Sequence, residues 1–174
     1  MLNRKENPIG LDFIIDQTQK RLYDKLTSLW DVNIKTFPRC YVLEKEEIRS
    51  IQHYQGNNEY SGSLIESEDN KFFFTAEDDQ ERINNIQFKT KVQLYFILDL
   101  KSIYPNSKER VDNQVLIDVV KALDSCSGFD SKINIVTDYQ SVFEGFDYDF
   151  DNIQPYYCFR VELNTMPYSI DENC

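Results

Sequence analysis

Glycine and proline are scarce, five each in 174 residues, and histidine occurs once. So little of either excludes a linker-dominated or low-complexity chain. Gly10, Gly56, Gly62, Gly128 and Gly145 never fall at phosphate-loop spacing. The single histidine, His53, would have to serve any Ser-His-Asp or Cys-His site, and it stands in a turn-rich polar stretch with no nucleophile elbow. Cys40, Cys126, Cys158 and Cys174 are scattered without a C-x-x-C pair, so no zinc ribbon or dithiol motif is written in them. Cys40 and Cys158 lie in strand-like runs, where cysteine acts as a small hydrophobe. Met1 to Gly10 is polar, with no apolar signal-peptide core, and no run approaches a membrane span. Free thiols in a reducing cytoplasm are the expectation.

Basic residues are few as well. Lys and Arg total 19 against 30 Asp and Glu, a net charge of −11. No basic cluster exceeds Arg4–Lys5 or Lys20–Arg21, which argues against holding nucleic acid by its phosphates. Three readings of the acidity stay open. It keeps the protein soluble, it lines a surface that DNA slides past, or it imitates DNA.

Aromatic residues are abundant: 12 Phe and 11 Tyr, suited to the pleated faces of a sheet. The length fits one domain with a real core. The stretch from Lys91 to Leu123 organises it. Val92, Leu94, Phe96, Leu98 and Leu100 alternate with Gln93, Tyr95, Ile97 and Asp99, which predicts a long strand with one face in a core. Tyr95 and Ile97 make the second face apolar too, so it also needs a cover, more than one helix supplies; a neighbouring copy is the expected cover. Pro105 breaks the strand pattern. Asn106 with Glu109 reads as a capping box, Val115 or Leu116, Val119 or Val120, and Leu123 recur at helical spacing, and Gly128 stands as a left-handed cap.

Upstream, Asn7 as N-cap and Pro8 at the first helical position open an amphipathic helix that carries Leu11, Ile14 or Ile15, Thr18, Leu22, Leu26 and Leu29 to about Trp30. Arg39 to Glu44 is a short strand. Glu46 to Tyr54 reads equally as a helical turn or more strand. Residues 52–85 form an excursion, a long hairpin or loop, with Phe72–Phe74 a strand-like run in or beside it. Strands follow at Lys132 to Tyr139 and Tyr156 to Met166, then a flexible tail over 169–174. The fold class is α+β: a mixed or mostly antiparallel sheet packed by two amphipathic helices.

Three groups of residues are candidates for chemistry or contact. Asp147, Asp149 and Asp151 form D-x-D-x-D, a weak candidate for a divalent cation. As a calcium loop it fails, since Asn152 and Cys158 stand at the glycine and glutamate positions. The plainer reading is a strand edge with Tyr148 and Phe150 inward and carboxylates in water. Glu44, Glu46 and Glu47, beside Lys45 and Arg49, read as a salt-bridged face. Tyr54, Tyr60, Phe72 and Phe74, with Tyr95 and Ile97 on the long strand, are candidate interface residues; a local core under the loop is the equal alternative. No cofactor and no enzymatic activity are expected.

The order of elements resembles the tail terminator, tail-completion and neck proteins of tailed bacteriophages. The resemblance lies in the helix opening Asn7-Pro8-Ile9 and running to Leu29, the strand Val92–Leu100, the helix Arg110–Leu123 directly after it, and the closing strands Ile133–Tyr139 and Tyr156–Leu163. It implies a virion structural protein, assembled in the host cytoplasm, that forms a ring, commonly a hexamer. Such a ring caps the tail tube, meets the neck or connector proteins, and lets DNA pass without specific binding. No membrane is involved. The alternative is an acidic inhibitor of a nuclease or repressor, with Asp147, Asp149 and Asp151 and Glu77, Asp78 and Asp79 mimicking phosphates.

Overall fold

A computed structural model of the chain describes residues 1–45, 48–56, 59–61, 69–77, 79–144, 146 and 156–169, with the backbone alone at 45, 48, 54–56 and 59–61. The fold is α+β, as its pattern predicts. Helix α1 (Leu11–Trp30) is followed by β1 (Lys35–Arg39), β2 (Tyr41–Lys45), β3 (Ile48–Gly56), β4 (Glu59–Ser61), β5 (Lys71–Ala76), β6 (Glu81–Arg82), β7 (Gln87–Lys89) and β8 (Lys91–Asp99). Then come α2 (Leu100–Ile103), α3 (Asp112–Leu123), β9 (Phe129–Val136), α4 (Tyr139–Val142), β10 (Tyr156–Thr165) and β11 (Tyr168–Ser169).

The main sheet has five strands in the order β1-β5-β8-β10-β9, with β1 parallel to β5 and the other pairs antiparallel. Strand β8 is its centre, as its alternation predicts. Val92, Leu94, Phe96 and Leu98 point to one face, joined there by Phe72 and Phe74 of β5 and Phe159, Val161 and Leu163 of β10. Helices α1 and α3 cover that face with Leu11, Ile15, Leu22, Leu26, Trp30, Val115, Val119 and Leu123. The stripe on α1 ends on Trp30, while Leu29 faces solvent.

The second face of β8 is covered by the chain itself, against the expectation of a neighbouring copy. Phe73, Tyr95, Ile97 and Cys158 form a second core with Cys40, Ile51 from β3, and Val142 and Phe143 at α4. Phe73 stacks on Tyr95 with ring centres 5.0 Å apart. The peptide after β1 turns the chain over this face, and α4 closes its other side.

Several local expectations are corrected. The 52–85 excursion is shorter, because β5 lies inside the main sheet between β1 and β8. An all-apolar run such as Phe72-Phe73-Phe74 is a strand buried on both faces, which alternation alone does not reveal. Helix α1 begins at Leu11 rather than Pro8: Asn7 and Gly10 take positive φ, 47° and 55°, and turn the chain before the helix. Helix α3 starts at Asp112, past Asn106 and Glu109, with no side-chain cap, and Gly128 is not its cap. What Gly128 needs is room, since a Cβ there would stand 2.4 Å from Ile14 Cγ2. Ser169 belongs to β11, which pairs with β7; residues 170–174 lie outside the described residues.

Candidate protein interface

The sheet edges are treated differently. At β1, the N-terminal segment lies alongside as a strap: Leu2 pairs with Thr36, the Asn3 N–H donates to the Thr36 carbonyl at 3.1 Å, and the Thr36 N–H donates to Met1 at 3.0 Å. The strap is pinned by charge. Arg4 donates to both oxygens of Asp16, at 2.8 and 2.5 Å, and Lys5 pairs with Asp12, which also takes the Arg39 guanidinium at 2.9 Å. Gln19, fully buried, donates to the Asn3 carbonyl and to Thr36 Oγ1. Carboxylates at residues 12 and 16, spaced one turn apart on α1, therefore serve the strap rather than solvent.

The opposite edge of the main sheet carries no such cover among the described residues. Strand β9 ends the main sheet opposite β1, with Ile133, Ile135 and Val136 half-buried and Lys132 and Asn134 exposed. Strand β2 is the outer strand of the small sheet β2-β3-β4. It exposes three apolar residues in a row: Tyr41 at 46 %, Val42 at 42 % and Leu43 at 50 %. Glu44 follows, within 3.2 Å of Arg49 across the hairpin, the salt-bridged face its sequence predicts; Glu46 and Glu47 lie outside the described residues. An exposed apolar strand at the border of a sheet is a template for another strand. Strand β3 packs beside β1 and β2 beside β5, while β9 closes the far end of the main sheet.

Four of the expected interface residues are not surface residues. Phe72 and Phe74 have no exposure, and Tyr95 and Ile97 almost none. Both faces of β5 and β8 are filled from within the chain, so these rings do core work. Tyr54 and Tyr60 face each other across the β3–β4 pair, and their side chains lie outside the described residues. Asp147, Asp149 and Asp151 also lie outside them; among the described residues no group of His, Cys, Asp or Glu forms a metal site. Of the acidic run at 77–79, Glu77 approaches Lys91 at 3.6 Å and Asp78 lies outside the described residues. His53 sits on β3 with its ring 4.6 Å from Phe37.

Two polar clusters were not legible in the sequence. Buried Asp118 on α3 accepts from Trp30 Nε1 at 2.9 Å, Tyr104 OH at 2.5 Å and Gln114 Nε2 at 2.9 Å. Burial and this carboxylate push the Tyr104 hydroxyl up to about 12. Three donors on one carboxylate, all from the chain, make a clamp between α1, α3 and the segment before α3. On the second face of the sheet Arg160 donates to Glu162 at 2.8 Å and to the carbonyls of Ser141 and Val142, tying α4 to β10. Asn134, then Arg160, hold the Glu162 carboxyl below its usual range. Lys71, buried on the same face, is lowered to about 8 by burial.

A groove of about 490 Å³ runs between the start of α1, the turn at Cys126–Gly128 and the segment Met166–Ser169. Burial raises the Cys126 thiol, which keeps it protonated and a poor nucleophile. Arg21, at the groove's rim, is engaged by the Ser125 carbonyl. No helix among the described residues is long and apolar enough to cross a membrane. No protein-family model matches the chain, and no curated protein matches its sequence.

Proposed function

We propose that this chain is a structural subunit that closes with copies of itself into a ring, of the tail terminator or neck type. One observation carries the reading: among the described residues the N-terminal strap shuts the β1 edge, while β9 ends the same sheet with no segment alongside it and β2 exposes Val42 and Leu43. Contact between different surfaces of two copies is head-to-tail, and such contacts generate rings when the rotation closes. The resemblance in element order supplies the class and the expected order of six copies. The acidic balance suits a ring whose opening DNA must traverse, because like charge opposes sticking. The sheet's second face no longer contributes to this reading, since it is filled from within.

Native mass measurement and electron microscopy of the purified protein test the reading. A closed oligomer of one defined order, and the protein's presence at the head–tail joint of particles, are expected. A species that stays a single copy across a wide concentration range, and that particles do not contain, overturns it.

A further inference from the structure

The turn between β6 and β7 is built inside out, with its polar side chains folded back on their own backbone. Arg82 Nε donates to the Asn84 carbonyl at 3.0 Å and Nη2 to Asn85 Oδ1 at 3.2 Å. Asn84 Oδ1 accepts from the N–H groups of Ile86 and Gln87 at 3.0 and 2.9 Å, and Asn84 Nδ2 donates to Gln87 Oε1 at 2.7 Å. The Ile83 N–H donates to the Gln87 carbonyl at 2.9 Å. Such local bonds hold a turn without help from the rest of the fold. What remains for solvent is apolar: Ile83 is 41 % exposed and Ile86 53 %. Two aliphatic side chains on a turn already fixed make a preformed knob, which loses little ordering entropy when it docks.

The groove beside α1 is a hollow of matching character. Phe13, Ile14 and Met166 give its 490 Å³ an apolar lining, and Phe13 at 43 % and Met166 at 46 % remain exposed. Within one chain the knob does not fill the hollow, since Ile83, Ile86, Phe13 and Met166 all stay open to solvent. We propose that the β6–β7 turn of one copy seats Ile83 and Ile86 in the α1 groove of another, with Glu81 beside Arg21. The contact rests on the self-assembly proposed above and names two surfaces that carry it.

Charge selects a second copy as the occupant. Arg21 is the one charged residue among those lining the groove, on a chain whose net charge is −11. It donates to the Ser125 carbonyl, and no carboxylate among the described residues pairs with it. The arm that leads to the knob exposes Asp79 and Glu81, which form no ion pair among the described residues. Arg82 spends its donors inside the turn, and Lys89, opposite Glu81, is half-buried. Charge also sets the orientation, because seating the turn the other way round brings Lys89 rather than Glu81 to Arg21. Knob and hollow are different surfaces, so the contact repeated from copy to copy runs head to tail.

Two measurements test the contact. Ile83→Ser with Ile86→Ser, read beside the wild type by native mass, is expected to raise the concentration for half-assembly at least about tenfold. Both side chains are exposed, so an unchanged circular dichroism spectrum is expected with it. For the second measurement, Ile86→Cys protein is mixed with Gln17→Cys protein, each also carrying Cys126→Ser and Cys174→Ser, and treated with a short bis-maleimide. Gln17 is exposed at the groove. A covalent pair is expected from the mixture and not from either variant alone. A wild type that never associates overturns the ring and this contact together. One that stops at two copies, with the cross-link formed, keeps the contact and overturns the ring. One that closes into a ring, with no cross-link and the serine variant unaffected, keeps the ring and overturns the contact. Where the serine variant and the cross-link disagree, the cross-link decides, its presence supporting the contact and its absence ending it.

Discussion

A carboxylate with three donors in a buried place costs little while all three are present and much once it is gone. Asp118 is such a residue. Asp118→Ala leaves the Trp30 indole, the Tyr104 hydroxyl and the Gln114 amide to find new acceptors inside the protein. We expect a loss of about 3 kcal/mol, read as a lower urea midpoint, since each abandoned buried group costs roughly 1–3 kcal/mol and some relax to water. Tyr104→Phe should cost less, about 1 kcal/mol, because it removes one donor and leaves two. At Gly128 the issue is space. Gly128→Ala drives a methyl into Ile14, and pairing it with Ile14→Val or Ile14→Ala should recover part of the lost thermal stability.

The buried thiols set an alkaline limit. Burial raises Cys40 strongly and Cys158 to about 12, from an ordinary value of 9.0. The folded state therefore favours the protonated form. That contribution is complete below the unfolded value and is lost as pH climbs toward the folded one, so stability should fall as pH rises above 9.0. Lys71 acts in the opposite sense: its folded value of about 8 lies below 10.5, so its own contribution grows as pH rises between them. Denaturant titrations over that range separate the two. The Cys40→Ala, Cys158→Ala double variant should lose part of the alkaline decline and show the lysine's rise more clearly.

At the scale of elements, the strap and the hairpin are opposites. The strap covers β1 with a short pairing and anchors it by Arg4 to Asp16, whose side chain is almost wholly buried. Removing residues 1–5 should leave Asp12 and Asp16 short of partners and open the β1 edge. The expected result is lower thermal stability together with irregular, concentration-dependent larger species by light scattering. Preservation of the wild-type size distribution and melting temperature would show that the strap is dispensable. The hairpin β2–β3 has two roles in one element: Ile51 points down into the second core, while Tyr41 and Leu43 remain outside. That division follows from the twofold period of a strand, whose successive residues face opposite sides.

At the scale of the molecule, charge and contact compete. Each copy carries a net −11, so copies brought together in a ring repel at low ionic strength. Salt screens that repulsion, so added salt should favour assembly. Raising sodium chloride from about 20 to about 200 mM shortens the screening length from about 20 Å to about 7 Å. The half-assembly concentration should then fall, and sedimentation at several salt concentrations checks it. A rise would mean that the contact itself is dominated by ion pairs.

The sequence alone determined the central strand, the two helices, the α+β class and the acidic surface. Strict alternation from Val92 to Leu98 and helical spacing from Leu11 to Trp30 are local signals, and a local signal survives without knowledge of what lies opposite. It did not determine which residues are inside. Phe72, Phe74, Tyr95 and Ile97 look like contact residues until the strand order and the folded-over hairpin bury both faces, and burial belongs to the assembled layers rather than to any one segment. Nor did it reveal that Asp118 is a clamp, because its donors Trp30 and Tyr104 stand far off along the chain. Which edge of the main sheet is closed was decided last, by a strap that only the tertiary structure brings to β1 and that, among the described residues, has no counterpart at β9.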